Sequence, residues 1–198
     1  TYDDVEKAER PARETTDRAI EYLRTRADKP QLLWVHYFDP HTPYLPGEPY
    51  KTKYAKTPYL GEIAAVDEQM GRLVAAFEQN ASGPFAIVVV GDHGEGLGDH
   101  GEAQHGNLLY ESTMRVPLVL VGPGVSPSVS DVPVSTRRIY HTVLDLALAE
   151  ASLSLRGESS PEVVLGEAMK PFLEYGWRPQ VMAVEGRHKV ISAGRNEV

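Results

Sequence analysis

The 198-residue sequence contains no cysteine. Disulfides, thiolate metal ligands and a cysteine nucleophile are therefore excluded from this stretch. Basic residues are also scarce: 20 Lys and Arg stand against 28 Asp and Glu, a formal net charge of −8. That balance excludes a general nucleic-acid binder, which needs clustered Lys and Arg along the phosphate backbone. It also weighs against an anionic membrane surface, but not against a polyanionic substrate held in a locally positive site. No apolar run approaches the ~18 residues of a membrane-spanning helix, and no signal-peptide pattern opens the sequence. The start, "TYDDVEKAER", enters a helical pattern directly, and "ISAGRNEV" stops just past a strand-like run. Both ends are expected to continue into a larger protein.

What is present is ordinary globular material, 41% hydrophobic and 24% charged, enough for one good core or for one core with a small appendage. Residues 3–27 are helix-prone, with Ala19, Ile20, Leu23 and Ala27 forming a stripe. "QLLWVHYF", 31–38, is expected as a buried strand. It ends at "DPHTPYLPGEPY", 39–50, where four Pro and one Gly forbid regular structure. Residues 58–79 carry apolar groups every three or four positions, with Pro58 suited to the first turn. "FAIVVVG", 85–91, and "VPLVLVG", 116–122, are expected as buried strands. A helix is expected over 136–149, followed by the β-like runs "EVVLGEA" and "QVMAVEGRHKVIS", the latter a hairpin turning at Gly186. The alternation predicts an α/β layered fold with a largely parallel or mixed central sheet flanked by helices. Residues 1–150 are expected to form this core and 151–198 a small antiparallel β subdomain.

The chemistry concentrates in "VVVGDHGEGLGDHGEAQHGNLLYE", 88–111, which places three His, five acidic residues and six Gly after an apolar run. In parallel sheets, sites form in loops beyond the carboxyl ends of strands, and both unusual loops follow strand-like runs. Asp92 and His93 offer a carboxylate oxygen and an imidazole nitrogen from adjacent positions, with Gly91 and Gly94 expected to permit a sharp turn. Such a pair suits a divalent cation but does not complete a site. A capping Asp beside a surface His explains "DHG" equally well. His105 and His100 are candidates to donate to an anionic ester or to protonate a leaving oxygen. His41, bracketed by Pro40 and Pro43, is a preorganised donor or a loop His packed on Tyr44. His36 is expected in the core, and His141 and His188 in structural roles. Glu62 and Asp67, five apart on the long helix, do not share a face well. Arg115 is expected to pair with an acid.

"LLWVHYFDPHTPY", "YLGEIAAVDEQMGRL" and "VVVGDHGEGLGDHGEAQHGNLLYESTMRVPLVLVGPG" together resemble, in order and spacing, the central and later parts of the sulfatase family, a branch of the alkaline-phosphatase-like superfamily. "FLEYGWRPQVMAVEGRHKVI" is similar to the family's C-terminal antiparallel sheet. The resemblance implies that Asp92 and His93 are metal ligands, that His41 and His105 contact the sulfate or leaving-group oxygen, and that Glu62 and Asp67 are mostly architectural. It implies a divalent metal, Ca2+ first, with Mn2+, Mg2+ or Zn2+ in related branches. It also implies a formylglycine nucleophile, formed from Cys or Ser in a Cys/Ser-x-Pro-x-Arg motif. That motif and the family's first Asp-Asp ligand pair are absent from this sequence, so a fragment inactive by itself is expected. The implied substrate is a small-molecule or glycan sulfate ester. A phosphodiester or phosphonate hydrolase, a phosphotransferase of the same superfamily and a non-catalytic anion- or glycan-binding domain are the alternatives.

Overall fold

The computed structural model describes residues 9–25, 30–81, 83–148, 153–156 and 161–194. The chain consists of two compact units, Thr1–Pro84 and Phe85–Val198.

In the first unit, α1 (Ala12–Thr25) buries Ala12, Thr16, Ala19 and Leu23, a spacing of three and four that puts them on one stripe. The expected stripe thus holds at Ala19 and Leu23, while residues 3–8 and 26–27 of that helical reading lie outside the described residues. A short α2 (Tyr50–Lys53) follows the proline-rich loop. Next, α3 (Pro58–Asn80) starts with Pro58 in its first turn, where a missing N–H costs nothing. Its inward stripe is Gly61, Glu62, Val66, Gln69 and Ala76, so two polar residues lie on the buried face. Helices α1 and α3 pack together, joined at their rim by an Arg72–Asp17 ion pair of 2.7 Å. Residues 31–38 are not a buried strand. They pair with no strand among the described residues, and Leu32 and Trp34 are 78% and 88% exposed. Apolar character does not define a strand without a neighbouring ladder to hold it, and half of this run faces outward. His36, expected in the core, is exposed on that outward side.

The second unit holds two small antiparallel sheets among the described residues. Strand β1 (Ile87–Val90) pairs with β2 (Leu118–Val121), Ile87 opposite Val121 and Val90 opposite Leu118. Strands β3 (Val164–Ala168), β4 (Gln180–Glu185) and β5 (His188–Ser192) form the other, in that order. The expectation of a largely parallel or mixed central sheet is therefore wrong. A parallel neighbour requires a crossover that carries the chain back to the starting edge. Between β1 and β2 the chain contains only one 3₁₀ turn and the four-residue α4 (Glu111–Met114), so it re-enters at the end it left. Nor are these strands buried on both faces: Val90, Val119 and Val121 are exposed. The 136–149 helix is present as α5 (Arg138–Leu148). The hairpin at Gly186 is present too, β4 and β5 closing at Glu185 opposite His188.

The core of this unit lies under the three-stranded sheet. Leu109, Ala168 and Met182 are buried there, with Met114, Val184 and Ile191 packed around them. Val164, Gly166 and Ala168 share the inward face by strand alternation, and Gly166 lets Met182 and Met114 approach its backbone. Leu109 terminates the His/Gly-rich segment and Met114 ends α4. The far end of the candidate loop is thereby seated on the C-terminal sheet. Helix α6 (Lys170–Tyr175) follows β3 directly.

Candidate functional site

The segment between β1 and β2 is pinned along its length by its own backbone. The amides of Gly91, Gly94, Gly96 and Gly98 donate to the carbonyls of Pro117 at 3.4 Å, Thr113 at 2.8 Å, Gln104 at 2.6 Å and Glu102 at 2.8 Å. Each rung lies further from the sheet, so the loop is a pinched extension of the strand pair. Gly94 and Gly96 serve this closeness, not the sharp turn expected of Gly94; neither has positive φ. A Cβ on Gly94 would stand 2.1 Å from the Ser112 carbonyl oxygen, and one on Gly96 2.3 Å from that of Glu102. Positive φ is found further out, at Gly98, Gly101 and Gly106, and at Leu97 and His100.

Inside this frame the second unit brings Asp92, His93 and His105 together. The His93 amide donates to Asp92 Oδ1 at 2.9 Å. The His93 ring donates from Nδ1 to the Gly94 carbonyl at 2.8 Å, because a carbonyl can only accept. That fixes the tautomer and leaves Nε2 as the basic nitrogen, 3.7 Å from Asp92 Oδ2. Both side chains face solvent, 44% and 77% exposed. The His93 ring lies against that of His105, centroids 3.9 Å apart. His105 Nδ1 meets Glu95 Oε1 at 3.1 Å, and the Glu95 side chain is 5% exposed. The buried carboxylate orients the imidazole from behind. His100 is placed otherwise, stacked on Tyr110 with ring centroids 3.6 Å apart and bonded to Asp99. That contact and the Ser112 hydrogen bond hold the Asp99 carboxyl below its usual range.

Glu102 completes the frame. It is 6% exposed and accepts from the amides of Asn107 at 2.7 Å and Leu108 at 3.2 Å, fixing the turn after His105. Sequence reasoning missed both Glu95 and Glu102. Ten residues separate Glu95 from His105 along a glycine-rich loop, and no periodicity signals that pairing.

His41 belongs to the first unit, and its backbone is organised by Glu62. That carboxylate, 5% exposed, accepts from the amides of His41 at 3.0 Å and Leu45. The His41 ring donates from Nδ1 to the Thr42 carbonyl at 2.7 Å and packs on Phe38. Asp39 accepts from the Ala12 amide at 2.8 Å, tying the loop to the start of α1. Glu62 is thus architectural in a defined sense, whereas Asp67 is exposed. Burial pushes the Glu62 carboxyl above its usual range, opposed by the two amides and reinforced by Asp39. Arg115 is exposed.

The donor set fits part of a metal shell. A carboxylate oxygen and a tautomer-fixed imidazole nitrogen suit hard or borderline divalent cations. No group of three or more His, Asp or Glu able to hold a metal ion occurs among the described residues, so this pair alone does not make a metal site.

The profile of the sulfatase family matches residues 3–149. The chain belongs to the sulfatase family. It is 28% identical over 189 residues to the uncharacterized sulfatase YidJ of Escherichia coli, covering 75% of this chain and 38% of that protein. It is 31% identical over 143 residues to the choline-sulfatase of Rhizobium meliloti, covering 67% of this chain and 28% of that one. Among solved structures, a putative sulfatase from Bacteroides thetaiotaomicron superposes with a TM-score of 0.54 at 18% identity, over 89% of this chain and 53% of that chain. The chain thus spans well under half of the length of these two sulfatase relatives, and the structural likeness shows the fold.

Two expectations follow. Gly94→Ala forces its Cβ into the Ser112 carbonyl and costs about 1–3 kcal/mol or more, read as a lower denaturation midpoint; an unchanged midpoint contradicts the close approach. Glu62→Gln leaves one oxygen for two amide donors and turns an NH2 toward the other. It costs ~1–3 kcal/mol at pH 7. Because the folded carboxyl is shifted upward, the folded state binds the proton more readily. The stability that Glu62 contributes is largest at acid pH and declines as pH rises through its folded pKa. The gap between parent and variant therefore widens toward acid pH, measured by urea unfolding between pH 4 and 7. A gap that shrinks toward acid contradicts the assignment.

Proposed function

We propose that the protein is a metal-dependent sulfuric ester hydrolase, to which residues 1–150 contribute part of the catalytic core and residues 151–198 a β-rich subdomain. The observation that carries this reading is the meeting of Asp92, His93 and His105 in a loop closed at its base by β1 and β2. Asp92 and His93 would hold a divalent cation, Ca2+ first and Mn2+, Mg2+ or Zn2+ as alternatives. When bound, that cation stabilises negative charge on the oxygens of a tetrahedral ester.

The chain's own residues do the rest of what it contributes. Glu95 holds the His105 ring by Nδ1, and in this reading Nε2 meets a substrate oxygen. His41, whose Nδ1 is committed to Thr42, offers Nε2 to the same class of oxygen, and Glu62 fixes its backbone. Imidazole donors suit both the ester anion and a leaving oxygen that needs a proton. The sequence contains no Cys and no Ser-x-Pro-x-Arg, so the formylglycine nucleophile and the remaining ligands are contributed by other residues. A small-molecule or glycan sulfate ester is the proposed substrate. The nitrogen donor of His93 favours a second reading, hydrolysis of a phosphodiester or phosphonate, since it shifts preference toward borderline metals.

The 198-residue chain alone is expected to show no turnover of 4-nitrophenyl sulfate with any of the four metals; metal-dependent turnover overturns the incomplete-site reading. In the intact protein, Ca2+ or Mn2+ raises the Tm by mass action, and Asp92→Ala removes most of that rise and lowers sulfate-ester turnover by about 10²-fold or more. A metal-induced rise of parent size in the variant contradicts ligation by Asp92. Faster hydrolysis of a phosphodiester than of the sulfate ester decides for the second reading.

A further inference from the structure

Four carboxylates of the His/Gly-rich loop already have partners. Asp92 receives the His93 amide, Glu95 the His105 ring, Asp99 the His100 ring, and Glu102 the amides of residues 107 and 108. One cation reaches the same loop from the C-terminal sheet. Lys170, at the start of α6, lays its side chain over Gly106, with Cδ 3.0 Å and Nζ 3.9 Å from the position a Cβ would occupy there. Gly106 has φ +95, a conformation that favours glycine, and a Cβ there would also crowd the Lys170 side chain. Lys170 is half-buried and its ammonium forms no ion pair or hydrogen bond among the described residues, although the chain carries eight more negative than positive charges. An ammonium held in place without a counter-charge is a ready partner for an anion. Its charge thus stands close to Gly106, the next residue in sequence after His105.

We propose that Lys170 is a specificity-determining residue that receives a second anionic group of the substrate, a carboxylate or a further sulfate, beside the ester handled by His105. This rests on the ester-hydrolase reading and adds a substrate class to it: esters whose alcohol portion is itself anionic. An ammonium is a suitable partner because it meets a carboxylate or a sulfate as a point charge, without demanding a planar, two-pronged geometry.

The test is equilibrium binding of two non-hydrolysable sulfonates to the intact protein by isothermal titration calorimetry. Benzenesulfonate carries one anionic group and 4-sulfobenzoate carries two. The parent is expected to bind 4-sulfobenzoate about 5- to 20-fold more tightly, in the range of one charge-assisted contact. Lys170→Met abolishes that preference and leaves benzenesulfonate binding unchanged, whereas Lys170→Arg retains most of it. Benzenesulfonate binding with no preference in the parent, or a preference that survives Lys170→Met, overturns the inference alone. Failure of benzenesulfonate to bind the parent at all overturns the ester-site reading together with it.

Discussion

The candidate site depends on the antiparallel pairing of β1 with β2 and its continuation into the loop they enclose. The rungs from Gly91 to Gly98 carry the ladder outward, and the final turn is braced by Glu102. Backbone-to-backbone approach this close admits no side chain at positions 94 and 96. That constraint explains why glycine recurs in a segment which must nevertheless be held still. A loop of this composition would lose much conformational entropy on ordering; the paired backbone and the seating of Leu109 on the C-terminal sheet oppose that loss. Asp92 and His93 can then project into solvent from a fixed base.

Carboxylates have two separate roles in this chain. Glu62, Glu95 and Glu102 are buried and accept hydrogen bonds, each fixing a segment that bears a candidate functional group. Asp92 is exposed and has an oxygen facing the basic nitrogen of His93. The division follows from desolvation: a buried carboxylate is stable only where donors surround it, whereas the proposed metal-binding role of Asp92 requires an oxygen that solvent or an ion can reach. Lys170 reverses the relation, as a half-buried cation beside a loop whose acids are already engaged.

How much of this was legible in the sequence depended on whether the signal was local. Helix α3 was visible because its apolar spacing and Pro58 act within a few residues. The hairpin was visible because Glu-Gly-Arg-His sits between alternating runs. Asp92, His93, His41 and His105 stood out as candidates by order and spacing along the chain, and the structure brings the first two together with His105. Strand direction was not, since "FAIVVVG" and "VPLVLVG" read alike in parallel and antiparallel ladders, and only the return path of the connection decides. "QLLWVHYF" misled for the same reason: its letters specify apolar faces, while pairing depends on a neighbour. The buried roles of Glu95 and Glu102 arise from the loop's fold and leave no periodic trace.

The most direct measurement is anomalous diffraction from crystals of the intact protein soaked in Mn2+. The account predicts a peak within about 2.0–2.6 Å of a carboxylate oxygen of Asp92 and of Nε2 of His93. A bound ion that leaves these two side chains without contact, or an empty site between them at saturating Mn2+, would contradict it.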